Sequence, residues 1–163
     1  MIFLAILLSG PEVELSGKMP GNEARAFYEC SRIMFAADGL PSEFTLHAKK
    51  RTGRLVLSVC SADRKRRTVT KLINSDKPLT TVPLFGLRVI RPPRSTTARK
   101  RRVEFFLESL KVMLHYETHF PVSVALNDYS KTFIASFSSA DQDDALTVII
   151  NKSNGTVQPM FRM

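Results

Sequence analysis

The chain predicts an α+β domain with two helices packed on one side of an antiparallel sheet. Three observations carry that prediction. A pattern of strand, helix and a run of short strands occurs twice along the 163 residues. The strand segments alternate apolar and polar residues, so each has one face that needs cover. A basic, proline-containing stretch at residues 88–102 separates the two passes. The length suits one domain over residues 1–163, with a core that needs no staples. Its basic Pro/Arg-rich linker, residues 91–102, joins the two halves.

The elements follow in order. Residues 2–8 are an apolar run of strand length ending in Ser9-Gly10-Pro11, which predicts a buried first strand. The run has no basic leader and is too short to span a bilayer. Lys18-Met19-Pro20-Gly21 breaks the chain, and Asn22 is suited to cap the first helix. Ala24, Phe27, Cys30 or Ile33, Met34 and Ala37 keep helical spacing until Asp38-Gly39 and Pro41 stop it. Phe44, Leu46 and Ala48 then alternate with Glu43, Thr45 and His47. Thr52-Gly53 turns the chain, and Leu55, Leu57 and Val59 share one face of the next strand. After a turn at Ala62-Asp63-Arg64-Lys65, residues 68–73 are β-branched enough for a third strand. Residues 79–90 are expected to be extended but irregular, because of Pro83 and Gly86.

Arg91-Pro92-Pro93-Arg94 excludes regular structure. The second helix is the clearest, with Val103, Phe106, Leu107, Leu110, Met113 and Leu114 in one apolar stripe. Glu104, Glu108 and Lys111 take its wet side, and Pro121 is its expected stop. Three alternating strands follow, on Val122/Val124/Leu126, Phe133/Ala135/Phe137 and Leu146/Val148/Ile150. Asn127-Asp128 turns the chain after the first of them, and residues 139–144 form an acidic loop after the second. The tail from Asn151, with Gly155 and Pro159, is expected to be irregular.

A hydrophobic fraction of 44% is that of a globular domain, while a formal charge of +9 favours polyanions as partners. Cys30 and Cys60 are far apart and make neither a disulfide framework nor a zinc signature, which points to a reducing compartment. No glycine-rich phosphate loop, nucleophile elbow or catalytic constellation is present, so the expectation is a non-enzymatic protein without cofactor, small-molecule substrate or membrane association. His115 and His119 are four apart near the second helix's end and could face one metal, but histidines in a last helical turn are favoured by the dipole alone. Asp141, Asp143 and Asp144 lack the spacing of a calcium loop. Most phenylalanines hold core positions, leaving Tyr129, in a turn, as the plausible base-stacking ring.

Two basic clusters are the candidate functional residues. Lys49, Lys50, Arg51 and Arg54, continued by residues 64–67, lie at hairpin turns, where they can sit on phosphates or merely protect edges. Arg88, Arg91, Arg94, Arg99, Lys100, Arg101 and Arg102 contain no acid among them. The last four start a helix, where the dipole disfavours positive charge. Such a cost invites an external reason, and Arg99, Lys100, Arg101 and Arg102 form a nuclear-import candidate as well as a phosphate-binding one. Ser95, beside these arginines, could be phosphorylated.

The stretches from Glu43-Phe44-Thr45-Leu46 to Gly53-Arg54-Leu55-Val56-Leu57, and from Phe106-Leu107-Glu108-Ser109-Leu110 to Pro121-Val122-Ser123-Val124-Ala125-Leu126, resemble the sliding-clamp family. The resemblance is to the second clamp domain of the tailed subunit of the heterotrimeric DNA-damage checkpoint clamp. It covers most of the chain as patterns of residue type. It implies a sliding-clamp-like domain of two β-α-β-β-β units, in a nuclear ring subunit that encircles DNA in replication or DNA repair. It also implies helices facing the channel, edge strands pairing with other clamp-like subunits in a hetero-oligomer, and no intrinsic enzymatic activity. Clamp subunits carry two such domains, and this chain has room for one. Arg25, Arg32, Lys49, Lys50, Arg51 and Arg99–Arg102 are then the expected contacts to the nucleic-acid backbone. Two other readings compete. One is a single-stranded DNA or RNA-binding module; the other is a viral or regulatory protein-interaction domain whose basic run serves import.

Overall fold

Two helices lie side by side on one face of an antiparallel sheet, as the alternation of the strands predicts. The computed structural model describes residues 13–62, 64–74, 77–79, 88–90, 93, 97–139 and 145–162. The expected first strand at 2–8, most of the extended stretch at 79–90, most of residues 91–96 and the acidic loop at 140–144 lie outside the described residues.

Helix α1 is Gly21–Asp38. Pro20 occupies its N-cap, with a fixed φ suited to a helix entrance, and its carbonyl accepts from Ala24 N–H at 2.9 Å. Asn22, expected as the cap, instead sits inside the first turn, and its Oδ1 accepts from Glu23 N–H at 2.9 Å. Gly39 ends the helix at φ 80 and donates to Phe35 O. Helix α2 is Ala98–Met113, capped by Thr97, whose side chain accepts from Lys100 N–H.

The strands are β1 (Val13–Glu14), β2 (Ser16–Gly17), β3 (Glu43–Arg51), β4 (Arg54–Ser61), β5 (Arg64–Leu72), β6 (Arg88–Val89), β7 (Thr118–His119), β8 (Val122–Asp128), β9 (Thr132–Ser139), β10 (Ala145–Asn151) and β11 (Thr156–Arg162). The main sheet has the order β5-β4-β3-β8-β9-β10-β11-β6, with β1 added beside the far end of β3. Strands β2 and β7 pair separately. Buried positions alternate along β3, β8, β9 and β10, so one sheet face is apolar and carries the helices. Phe44 of β3 meets both helices, with Phe35 at 5.4 Å and Phe106 at 5.6 Å between ring centroids. Phe106 also stacks on Phe137, and Phe105 on Phe133.

The doubled pattern keeps one register through the helices and the first two strands of each half, and slips by one residue at the third, where Val69 opposite Leu57 corresponds to Val148 opposite Ala135, 79 positions on. A shift of 78 residues carries β4 onto β9 end for end, Arg54 to Thr132 and Ser61 to Ser139. The same shift carries buried Leu55, Leu57 and Val59 to buried Phe133, Ala135 and Phe137. It carries Ser31, whose Oγ donates to Phe27 O at 2.9 Å, to Ser109, whose Oγ donates to Phe105 O at 3.0 Å. It also carries Ser58 to Ser136, each hydrogen-bonded to a threonine on the next strand, Thr68 or Thr147. The halves meet where β3 pairs antiparallel with β8, Thr45 opposite Ser123. Those two residues differ by the same 78 positions, which places a local two-fold relation at the sheet's centre.

Further expectations are corrected. Asn127 and Asp128, expected to turn the chain, are instead the last residues of β8, and the turn follows at Tyr129, whose N–H donates to Thr132 O at 2.8 Å. Helix α2 stops at Met113, well before Pro121: Leu114 donates to Leu110 O as the cap, and the chain then turns through Tyr116. His115 and His119 therefore do not share a helix. His119 lies in β7 with its Nδ1 2.6 Å from Ser16 Oγ, and the His115 ring meets Tyr116 edge-on. The tail is not irregular: Gly155 makes a turn at φ 73 and β11 returns along β10 in register from Val157 to Arg162. Pro159 pairs opposite Val148, beyond the described residues of β6.

Candidate nucleic-acid interface

The nine candidate cations fall into three places. Lys49, Lys50 and Arg51 end β3 at a two-residue hairpin turn, Thr52-Gly53, in which both residues have positive φ. Alternation turns Lys50 toward the helices, where its Nζ meets Glu23 Oε1 at 2.9 Å and ties the strand to the first turn of α1. Lys49 and Arg51 are on the opposite sheet face, and both have intramolecular interactions. The hairpin cluster is thus split between two faces.

Arg25 and Arg32 lie on α1 on either side of Glu29. Arg32 Nη2 is 2.5 Å from Glu29 Oε2 and Arg25 Nη1 is 3.5 Å from Oε1. The hydrogen bond from Arg32 is the main reason the Glu29 carboxyl is held below its usual range, against the opposing effect of burial. Arg25 Nε also donates to Lys77 O at 3.0 Å.

The run at the start of α2 separates by role. Arg99 Nη2 reaches Ala37 O at 3.4 Å, and Arg102 donates to Leu40 O and toward Ser42 Oγ. Helix α1 has no basic residue in its last turn, so these guanidiniums supply the positive charge that its C-terminal carbonyls favour. The dipole cost at the start of α2 thus has an internal counterpart at the end of α1. Arg102 Nε also lies 4.0 Å from Asp128, which Lys152 engages as well. Lys100 and Arg101 are exposed.

Sequence reasoning passed over a third locus. Between α1 and edge strand β5 runs a groove lined by Arg25, Ala26, Glu29, Thr70, Lys71, Leu72, Asn74 and Lys77. Lys71 pairs opposite buried Leu55, so it stands on the helix side of the sheet. Strand alternation with Val69 is the signal that could have found it; Lys77 has no local signal. Nearby Cys30 is buried, and desolvation pushes its thiol up to about 12, which leaves it an inert core residue.

No family model matches the chain, and no curated protein or solved structure matches it.

Proposed function

We propose that the chain is a non-enzymatic subunit of a sliding-clamp-like complex of the DNA-damage checkpoint or of replication. It acts through assembly with other clamp-like subunits and through contact with the nucleic-acid backbone. The observation that carries this reading is the doubling: two helix-then-meander units, related by a shift of 78 residues through their helices and first two strands and of 79 at the third, and joined through β3 and β8, with both helices on one side. A sheet on one side and a helix pair on the other is the arrangement a ring segment needs. The formal charge of +9 suits a polyanion. At the far side of the first unit, β5 ends the sheet among the described residues as a nine-residue strand, a template on which another subunit's strand can add. Nuclear residence is part of the same proposal.

Within the run at the start of α2, the cations with the most to offer a phosphate are those whose donors are not spent on the fold. Arg99 and Arg102 donate to carbonyls at the end of α1 and beyond it, as Lys50 does to Glu23; Lys100 and Arg101 are exposed. Lys100→Glu with Arg101→Glu is expected to weaken binding equally on unrelated duplex sequences and to reduce the salt slope by about two, one per lost phosphate contact. Fluorescence anisotropy at several salt concentrations measures both, and unchanged affinity at low salt refutes backbone contact at this helix.

The single-strand alternative is less well supported. The exposed aromatics among the described residues, Tyr129 and Phe161, lie toward opposite ends of β10: Thr132, near Tyr129, pairs with Asn151, while Phe161 pairs with Leu146. Successive bases need neighbouring rings.

A further inference from the structure

We infer that the groove between α1 and β5 is a second phosphodiester-binding site, with Arg25, Lys71 and Lys77 as its cationic ligands. It rests on the nucleic-acid reading above and adds residues that reading does not use. Three features make the groove more than a charged rim. Its cations come from three separate elements and converge: Arg25 from the helix, Lys71 from the edge strand and Lys77 from the segment after it. The segment is anchored, since Leu79 N–H donates to Gly21 O at 2.9 Å and Lys77 O accepts from Arg25 Nε at 3.0 Å. A Cβ on Gly21 would come within 2.9 Å of Pro78 Cβ, so the packing here is close. The Arg25 guanidinium and the Lys77 backbone are therefore fixed before a ligand arrives, which lowers part of the ordering cost of binding.

The local charge favours an anion. Among the described residues, Glu29 is the acid lining the groove, and its carboxylate is engaged chiefly by Arg32 at 2.5 Å, so it offsets Arg25 only in part. The remaining polar lining is Thr70 and Asn74, hydroxyl and amide groups of the kind that contact phosphate oxygens. The described lining residues include no stacking ring and no row of base-reading side chains, so they suit backbone contact without sequence preference. Lys100 and Arg101 lie near the C-terminal end of α1 and the groove near its N-terminal half. One strand of backbone following α1 can therefore reach both.

The test uses the full chain, a fluorescein-labelled 30-base-pair duplex of arbitrary sequence, and a labelled polyglutamate peptide, titrated by anisotropy over a salt series. Lys71→Glu with Lys77→Glu is expected to weaken duplex binding by about tenfold or more at low salt and to reduce the salt slope by about two. Lys71→Gln with Lys77→Gln gives the same direction with a smaller loss, and both melt at the wild-type temperature. Duplex binding by the wild type with an unchanged slope in both variants overturns the groove while leaving backbone contact elsewhere intact. No duplex binding by the wild type overturns the groove and the nucleic-acid reading together. Tight binding of polyglutamate without duplex binding overturns it in favour of an acidic protein partner.

Discussion

Arg101 and Arg102 are neighbours in sequence and differ in role. Arg102 is mostly withdrawn from solvent and joins the α1–β3 connection to α2 through Leu40 O and Ser42, whereas Arg101 is exposed. Arg102→Ala is expected to lower the unfolding free energy by about 2 kcal/mol, since it strands a buried carbonyl that a charged donor satisfied. Arg101→Ala is expected to change it by less than about 0.5 kcal/mol. Urea unfolding of the two variants side by side checks the pair, and equal losses would contradict the division of labour. Nothing in the local sequence distinguishes the two arginines. The groups that do, at residues 40 and 42, are some sixty positions away along the chain. The same holds for Lys50, whose partner Glu23 is on another element. Charge was legible as composition; which charges are occupied depends on tertiary contacts that no short pattern records.

Elements with strict alternation or an unbroken apolar stripe were readable because burial of one face leaves a period in the sequence. Strands β3, β4, β8, β9 and β10 are of this kind, and so is the body of α2. The failures occurred where another signal overrode the period. Gly155 and Pro159 argued for an irregular tail, yet glycine supplies the left-handed turn into β11, and the proline pairs opposite Val148, beyond the described residues of β6. The end of α2 was set by packing at Leu114, long before the proline that reads as a stop. The two turn glycines separate backbone strain from steric space. Gly53 has φ 73 with nothing within 4 Å of a Cβ, so Gly53→Ala is expected to cost about 1 kcal/mol. Gly155 also has φ 73, but a Cβ there would lie 2.3 Å from Ile90 O, and Gly155→Ala is expected to cost about 3 kcal/mol or more. Thermal or urea unfolding of both variants decides it: similar losses would mean that the 88–90 segment moves aside freely.

At the scale of the molecule, the doubling was visible as element order, while its register was not. Only a few residues are identical under the shift, among them Phe27 with Phe105 and Ser31 with Ser109, too few to stand out in one sequence. Physical equivalence is kept by burial and backbone bonding instead, as at the paired serines of the two helices. The two halves differ at their outer ends. In the second, β11 covers β10; in the first, β5 ends the sheet among the described residues, and residues 77–79 are drawn against α1. That asymmetry leaves a strand-length edge and a cationic groove on one side, where assembly and phosphate contact are proposed to occur. The central claim is that this segment belongs to a ring of like subunits. Its most direct test is the native mass and composition of the complex retrieved through the chain from nuclease-treated cell extract. The account predicts one copy of the chain with two further subunits in equal amount, each built on the same doubled helix-then-meander order. A chain recovered as a monomer, or bound only to proteins without that order, would contradict it.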